Sequence, residues 1–154
     1  MDLSDNIGRF LKSLNLNNFS FEEVDFSDIN ARNSEGENAL HASIIAGERD
    51  ISIELVDAGI DIHARGDLGR TPLHYAASYT DLNLVKYLVQ KGADVHALDE
   101  GIPAFTLARY SKADEICSYL GEQMELNSDK DDKVWINARI SSLEYEIERL
   151  KRLL

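Results

Sequence analysis

Apolar residues recur with helical spacing through most of the chain. Near the amino terminus, Ile7, Phe10, Leu11 and Leu14 occupy positions i, i+3, i+4 and i+7, behind a polar start at Ser4. This spacing predicts an amphipathic helix whose apolar side must pack against something else. Similar spacing appears in several later segments, so the pattern indicates a helical protein with short polar connections.

The sequence repeats itself with a period of 33 residues. Residues 28–32, 61–65 and 94–98 read Asp-Ile-Asn-Ala-Arg, Asp-Ile-His-Ala-Arg and Asp-Val-His-Ala-Leu. After the third of these stretches the offset falls to 32, because one residue is missing between Leu98 and Gly101. A period of this length is typical of stacked structural repeats. We therefore expect three units, the third with a shorter loop.

Each unit carries the signals for two short helices. In the second unit, Thr71-Pro72 marks the start of the first helix, because proline suits a first helical turn. Apolar residues within 84–89 have the spacing of a second helix. Gly92 follows it and suits the left-handed position after a helix end. We call the loop before the first helix of each unit its finger.

These signals carry a family resemblance. Residues 69–77 (Gly-Arg-Thr-Pro-Leu-His-Tyr-Ala-Ala) with residues 82–95 resemble an ankyrin repeat at nearly its full pattern. The first copy has Asn38-Ala39 in place of Thr-Pro, and the third is blurred at residues 103–106. The resemblance spans about residues 28–121 and implies an all-α ankyrin-repeat solenoid. Its three helix-turn-helix repeats would occupy residues 28–60, 61–93 and 94–121.

The two ends need separate interpretations. Residues 1–27 are predicted to form an N-terminal capping helix, because a repeat stack leaves an apolar face open at each end. Ser20 and Glu23 have the spacing of a capping box for a second short turn. Residues 122–133 are polar and predict a linker. Residues 134–154 predict a C-terminal amphipathic helix.

That C-terminal helix carries a heptad pattern. Its apolar residues are spaced 4, 3, 4, 3 and 4 apart, at Ile136, Ile140, Leu143, Ile147, Leu150 and Leu154. Isoleucine at a and leucine at d favour a parallel two-stranded coiled coil, so one interpretation is a homodimer through Ile140, Leu143, Ile147 and Leu150. The other is that the helix folds back to cap the third repeat, with Trp135 packing in the gap. The pattern alone requires only that the apolar stripe be buried.

Composition and charge narrow the class of protein. Hydrophobic residues make up 44% of the 154, enough for one sizeable core. The formal charge is −12, which opposes binding to nucleic acid, and residues 1–60 carry 12 acidic and 4 basic residues, net −8. No run of 18 apolar residues occurs, so we expect no membrane insertion. The single Cys117 excludes an internal disulfide and makes the cytoplasm the default compartment.

Candidate chemistry is sparse. His41 and His74 lie one repeat apart, as do His63 and His96, so the four histidines are two repeat positions rather than a metal cluster. The resemblance implies that the first pair hydrogen-bonds backbone and ties neighbouring turns. Cys117 aligns with an apolar position of the preceding repeat and is predicted to be buried. Motifs for phosphate loops, nucleophile elbows and zinc proteases are absent, so we expect no cofactor, no metal and no catalysis.

The remaining interpretation is a protein-protein interaction module that binds another protein through its concave surface. The ankyrin pattern places ten candidate contact residues on the fingers and first helices: Glu35, Glu37, Arg65, Asp67, Leu68, Arg70, Tyr79, Leu98, Ile102 and Tyr110.

Two narrower interpretations remain open. An acidic chain of this size is also typical of an immunity or antitoxin protein that neutralises a basic, nuclease-like toxin. The weaker rival, from a different class, is an enzyme-accessory or catalytic subunit whose site lies outside the repeat pattern.

Overall fold

The computed structural model describes residues 4–17, 21–126 and 133–152, and the regular secondary structure of these residues is helical apart from one small hairpin. The elements in chain order are α1 (Asp5–Asn17), α2 (Ala39–Ile45), α3 (Arg49–Asp57), α4 (Pro72–Ser78), α5 (Leu82–Gln90), β1 (Leu98–Asp99), β2 (Ile102–Pro103), α6 (Ala104–Tyr110), α7 (Asp114–Leu126) and α8 (Lys133–Lys151). The predicted all-α repeat architecture is confirmed.

The helices form two layers. The inner layer consists of α2, α4 and α6, and each of these packs against the next. The outer layer consists of α1, α3, α5 and α7, packed in that order. Within each repeat the inner helix packs on its outer helix, α2 on α3, α4 on α5 and α6 on α7. The structure is therefore a short solenoid in which each repeat contacts its neighbours.

Local sequence signals set the inner helices. In the second repeat, Pro72 is the first residue of α4, where its missing N–H leaves no hydrogen bond unmade. Thr71 is the N-cap, and its backbone N–H donates to Nδ1 of His74 at 3.2 Å. Asn38 takes the N-cap position of α2, where its side chain accepts from the N–H groups of Leu40 and His41. Asparagine thus replaces threonine without loss of the cap.

The fingers differ in length as predicted. In the first and second fingers the N–H groups of Asn33 and Gly66 donate to carbonyls four residues later, at 2.9 and 2.8 Å. In the third, β1 pairs antiparallel with β2 around the two-residue turn Glu100-Gly101. Both turn residues have positive φ, 44° and 86°, as a tight hairpin turn requires. The missing residue therefore converts the third finger into a hairpin.

One apolar core runs through the stack. Its largest fully buried side chains come from both layers and from the segment after α1: Ile7, Phe21, Leu40, Leu55, Leu73, Leu84, Leu88, Phe105, Ile116 and Leu120. Most of them occupy equivalent positions in successive repeats, so the repeat period also sets the packing.

At the amino-terminal end, α1 lies in the outer layer and packs against α3. Ile7, Leu11 and Leu14 are buried there. Polar contacts add to the packing, because the Ser4 hydroxyl and the Asn6 amide both donate to the Glu54 carboxylate, the latter at 3.0 Å. Ser20, the first residue of the predicted capping box, lies outside the described residues.

At the carboxyl-terminal end, α7 extends to Leu126, so residues 122–126 of the predicted linker are helical instead. Met124 explains this difference, because its side chain is buried and keeps the extra turn packed. The rest of that linker, up to residue 132, lies outside the described residues. Helix α8 then folds back and packs against α7.

Candidate protein-binding surface

The three fingers lie side by side, and each leads into an inner helix. A Cβ atom on Gly36 would come within 2.5 Å of the Arg65 carbonyl oxygen, so the first two fingers are in close contact. The second finger contacts β1 of the third. The fingers and α2, α4 and α6 make up one face of the stack, which we call the finger face. All ten candidate contact residues belong to it, but they have different environments.

Glu37 differs from its predicted role as an exposed finger residue. Its side chain is 6% exposed, and both carboxylate oxygens are occupied. Oε1 accepts from the Tyr75 hydroxyl at 2.9 Å and Oε2 accepts from the Asn33 amide at 3.1 Å. Burial, and secondarily this bond, raises the pKa of Tyr75 above its usual value. The structure therefore places Glu37 inside, where it joins the first finger to α4.

Two candidate arginines join one finger to the next. Nε of Arg70 donates to the Asp99 carboxylate at 2.7 Å, and this hydrogen bond raises the pKa of the guanidinium. Asp99 is 3% exposed, so the pair is partly shielded from water. Arg65 stays exposed, but its Nη1 donates to the carbonyl oxygens of Gly69 at 3.1 Å and Leu98 at 2.8 Å. Arg70 is thus paired with an acid, whereas Arg65 keeps its charge and uses one nitrogen to hold the backbone of two fingers.

Leu98 and Ile102 belong to the hairpin, and their side chains are only partly exposed. Their backbone carbonyls accept from the second repeat, Leu98 from Arg65 at 2.8 Å and Ile102 from Nε2 of His74 at 3.1 Å. These hydrogen bonds hold the hairpin in place through its backbone. The partly exposed side chains of both residues therefore remain available for contact.

Glu35, Asp67 and Leu68 are exposed at the finger tips. The Leu68 side chain is 48% exposed, and its backbone has a positive φ of 56°. A left-handed conformation is costly for a branched apolar residue. Glu100 lies 33 residues after Asp67 and is exposed on the third finger. Each of the three tips therefore presents a carboxylate.

The far ends of the inner helices expose large apolar side chains. Tyr79 directly follows α4 and is 53% exposed, and Tyr110 ends α6 and is 66% exposed. Ile45 ends α2 and is exposed as well. The Arg109 guanidinium lies 5.8 Å from the centre of the Tyr110 ring. The three side chains thus lie at the carboxyl-terminal ends of inner helices that pack in succession, and we call them the apolar row.

Acidic side chains also border the first finger. A shallow depression of about 420 Å³ lies between the segment after α1 and this finger, and Glu22, Glu23 and Asp25 line one side of it. Arg32, which also lines the depression, forms an ion pair with Asp61 at 2.7 Å. The net charge of residues 1–60 indicated an acidic region here, although the sequence did not single out these three acids.

The paired histidines have the backbone contacts that the family resemblance implies. His41 and His74 are buried, and their Nε2 atoms lie 3.2 and 3.1 Å from the carbonyl oxygens of Arg70 and Ile102 in the following finger. Burial lowers the pKa of both rings. In the neutral form, Nδ1 accepts the N-cap N–H and Nε2–H donates to the next finger. These histidines therefore connect successive repeats.

Cys117 is buried, and burial raises the pKa of its thiol to about 11. A nucleophilic cysteine needs a lowered pKa instead. Within the described parts of the chain, no three His, Cys, Asp or Glu side chains come together as a metal site requires. None of the helices in those parts combines the length and apolar composition needed to cross a bilayer.

The fold and its exposed face define a class: a helical repeat solenoid with an open surface made of fingers and inner helices. The chain belongs to the ankyrin-repeat family, since the family model described as ankyrin repeats in three copies matches residues 5–99, more than half of the chain. That match begins in α1 and ends in β1. Ankyrin repeats are generally protein-protein interaction modules and typically non-catalytic. A search of curated proteins finds no match to this chain.

Proposed function

We propose that this chain is a non-catalytic binding module that holds a partner protein against its finger face. The observation that carries the proposal is the apolar row of Ile45, Tyr79 and Tyr110. The rest of each inner helix is largely buried, yet these side chains are exposed at the same end of successive repeats. Tyrosine is enriched among the residues that dominate binding energy at interfaces.

The charge of the finger face favours a basic partner. Glu35, Asp67 and Glu100 are exposed on the tips, and an acidic depression lies beside the first finger. By contrast, the nearby Arg70 is paired with Asp99, and Arg65 keeps its charge because it donates to backbone carbonyls. Three exposed carboxylates against one unpaired arginine leave the finger tips with a net negative charge, which would attract a positively charged protein and speed its association. The same charge disfavours nucleic acid.

One more specific function is favoured by the same acids. An immunity or antitoxin protein covers a basic, nuclease-like toxin, and its negative surface speeds capture at low salt. The finger tips and the depression beside them would supply that surface here. We also propose a cytoplasmic location, because the lone, buried Cys117 requires no oxidising compartment.

The proposal includes self-association. The apolar stripe of α8, which contains Ile140, Leu143, Ile147 and Leu150, is exposed on the side away from the repeats. A homodimer formed through it would cover this stripe and present two finger faces.

The test is partner capture from an extract of the native host, with matched variants of the bait. Tyr79→Ala with Tyr110→Ala removes two apolar anchors. Asn83→Ala with Gln90→Ala changes two exposed positions of α5 on the opposite layer and serves as the control. We expect a partner that the wild type and the control retain but the tyrosine variant loses. Retention by all three baits would mean that the finger face is not the binding surface.

Charge is tested with the captured partner. Glu35→Lys with Asp67→Lys should slow association and flatten its salt dependence, because exposed charges act mainly on the encounter rate. Glu115→Lys with Glu122→Lys makes the same net change on the exposed side of α7. Equal association rates for the two variants would exclude electrostatic recognition by the finger tips.

A further inference from the structure

Helix α8 has two different faces. Tyr145 is partly buried and packs against the core, and with Arg149 it lines the groove opposite Cys117 and Gly121 of α7. The heptad residues face the other way, from Ile136 at 40% exposed to Leu150 at 56%. With 3.6 residues per turn, the f position held by Tyr145 is nearly opposite the a and d positions. Packing on the repeats therefore leaves the heptad seam uncovered.

The seam has the composition of a two-stranded coiled coil. Its core positions alternate isoleucine at a, in Ile140 and Ile147, with leucine at d, in Leu143 and Leu150. This combination favours two parallel strands over three or four. The surface that best complements this seam is the same seam on a second copy of the helix.

The charges that flank the seam select an orientation. In a parallel, in-register pair, each g residue lies near the e residue five positions later on the other helix. The sequence then pairs Glu146 with Lys151 of the second copy, and Arg139 with Glu144 of the second copy. All four interactions of the symmetric dimer join opposite charges. Glu144, Glu146 and Lys151 are exposed and lie where such pairs would form.

The antiparallel arrangement reverses this outcome. Full overlap of two antiparallel helices places Ile140 beside Leu150 of the second copy, and e residues then face e residues while g residues face g residues. Glu144 would lie near Glu144 of the second copy, and Glu146 near Glu146. Like charges at such distances are destabilising. The flanking charges thus favour the parallel pair and oppose the antiparallel one.

We propose that α8 joins two copies of this chain in a parallel, in-register coiled coil while the opposite face of each helix remains packed on its own α7. This inference rests on the proposed homodimer and adds its register, the charge pairs that select the parallel orientation, and the simultaneous packing of each α8 on its own α7. A seam of about three heptads is marginal for isolated peptides, because an unsupported short helix is costly to order. Here the contact with α7, through Tyr145, orders each helix before the two meet.

The dimer has a functional consequence. Because the seam lies on the far side of α8 from the repeats, the second copy would approach without covering either finger face. A partner with two equivalent sites would then bind both faces, and the second contact would benefit from a high effective concentration.

The first experiment measures mass by sedimentation equilibrium of the full chain. We expect the wild-type chain to be a dimer and the Leu143→Asp, Leu150→Asp double variant to be a monomer. The helical circular dichroism signal of this variant should fall by no more than the contribution of α8 itself. A wild-type chain that stays monomeric at high micromolar concentration would overturn both the homodimer and its orientation.

The second experiment determines orientation by cysteine crosslinking in a Cys117→Ala background. A parallel, in-register pair should oxidise to a disulfide dimer in Ile140→Cys alone and in Leu150→Cys alone. An antiparallel pair should crosslink efficiently only when these two variants are mixed. Crosslinking confined to the mixture would refute the parallel orientation and leave the homodimer standing, so the two failures are distinguishable.

The third experiment tests the flanking charges. Glu146→Lys should raise the dimer dissociation constant about tenfold, because it replaces two attractive contacts with two repulsive ones. Adding Lys151→Glu should restore most of the affinity. Glu48→Lys makes the same charge change at an exposed position just before α3 and is the matched control. Glu148 is unsuitable for this purpose, because its carboxylate lies 3.8 Å from the Lys151 ammonium. If Glu146→Lys and Glu48→Lys weaken the dimer equally, the selection of orientation by charge is wrong.

Discussion

The buried bond between Tyr75 and Glu37 provides a direct test of how the first finger is attached to the stack. Tyr75→Phe removes only the hydroxyl that donates to Glu37 Oε1 at 2.9 Å. Both side chains are buried, at 8% and 6% exposure, so water has little access to replace the lost donor. Hydrogen bonds to charged groups contribute about 1.5–3 kcal/mol. Because Asn33 still donates to the other oxygen, we expect a loss of about 2 kcal/mol.

Urea denaturation followed by circular dichroism measures this loss. Tyr79→Phe is the matched control, because it removes a hydroxyl from a side chain that is half exposed, and its effect should stay within about 0.5 kcal/mol. Glu37→Gln completes a double-mutant cycle with Tyr75→Phe. We expect a coupling energy of about 1 kcal/mol, since the amide retains an acceptor oxygen but not the charge.

Two results would refute this reasoning. The first is a loss in Tyr75→Phe no larger than that of the control, which would mean that the hydroxyl does not hold the carboxylate. The second is a Glu37→Gln variant that keeps full stability but loses affinity for the partner. That variant would restore Glu37 to the contact role that its finger position first suggested.

Three further predictions follow from burial and backbone geometry. Gly36→Ala should lower the free energy of unfolding, measured by urea titration, by at least about 3 kcal/mol, because its Cβ would meet the Arg65 carbonyl oxygen at 2.5 Å. Gly47→Ala is the control, since Gly47 also has positive φ but has open space around it. It should cost only about 1–2 kcal/mol. Cys117 should resist a disulfide reagent at pH 8 in the folded protein and react after unfolding, since burial raises its pKa to about 11; rapid reaction of the native thiol would contradict its placement. Burial lowers the pKa of His41 and His74, so below pH 6.5 the unfolded chain binds more protons than the folded chain. The free energy of unfolding should therefore fall as the pH is lowered from 6.5 to 5. A urea denaturation midpoint that rises as the pH is lowered would contradict this prediction.

The repeat architecture was predictable because its signals are local. Proline at a first helical turn, a polar N-cap and glycine after a helix each act within a few residues, and a period of 33 repeats them in register. The same register identifies equivalent side chains. It therefore predicted that His41 and His74 share one role and that Cys117 occupies an apolar position of the third repeat. The one-residue deletion before Gly101 likewise predicted a shorter third finger.

The environment of Glu37 was not predictable in this way. A carboxylate in a loop is usually solvated. The hydroxyl that donates to the Glu37 carboxylate belongs to Tyr75, 38 residues further along the chain. The repeat pattern gives no guidance, because the equivalent positions of the later fingers carry Arg70 and Ile102. A tyrosine at position 75, where the preceding repeat has Ala42, was the available signal. A large polar side chain on an inner helix needs a hydrogen-bond partner when it is buried.

The end of the third repeat shows a related limit. Repeat length placed the boundary at residue 121, and the polar residues that follow predicted a linker. Helix α7 continues to Leu126 because Gly121 and Met124 remain buried beneath it. The length of α7 is therefore set by packing at the end of the stack, and the repeat period alone does not predict where this helix ends.

Helix α8 illustrates how one pattern can carry two functions. Folding back and self-association looked like alternatives because both were expected to bury the same apolar stripe. Among the α8 side chains that the structure describes, Tyr145, at an f position outside the heptad stripe, packs against the core. Arg149 lies 3.9 Å from Asp114 of α7 on the same side of the helix. The stripe itself is then left exposed from Ile136 to Leu150, and an exposed apolar surface of that length is costly in water unless another surface covers it. The cap and the dimer therefore use opposite sides of one helix, and a change at Tyr145 should affect the docking on α7 while a change at Leu143 affects the seam.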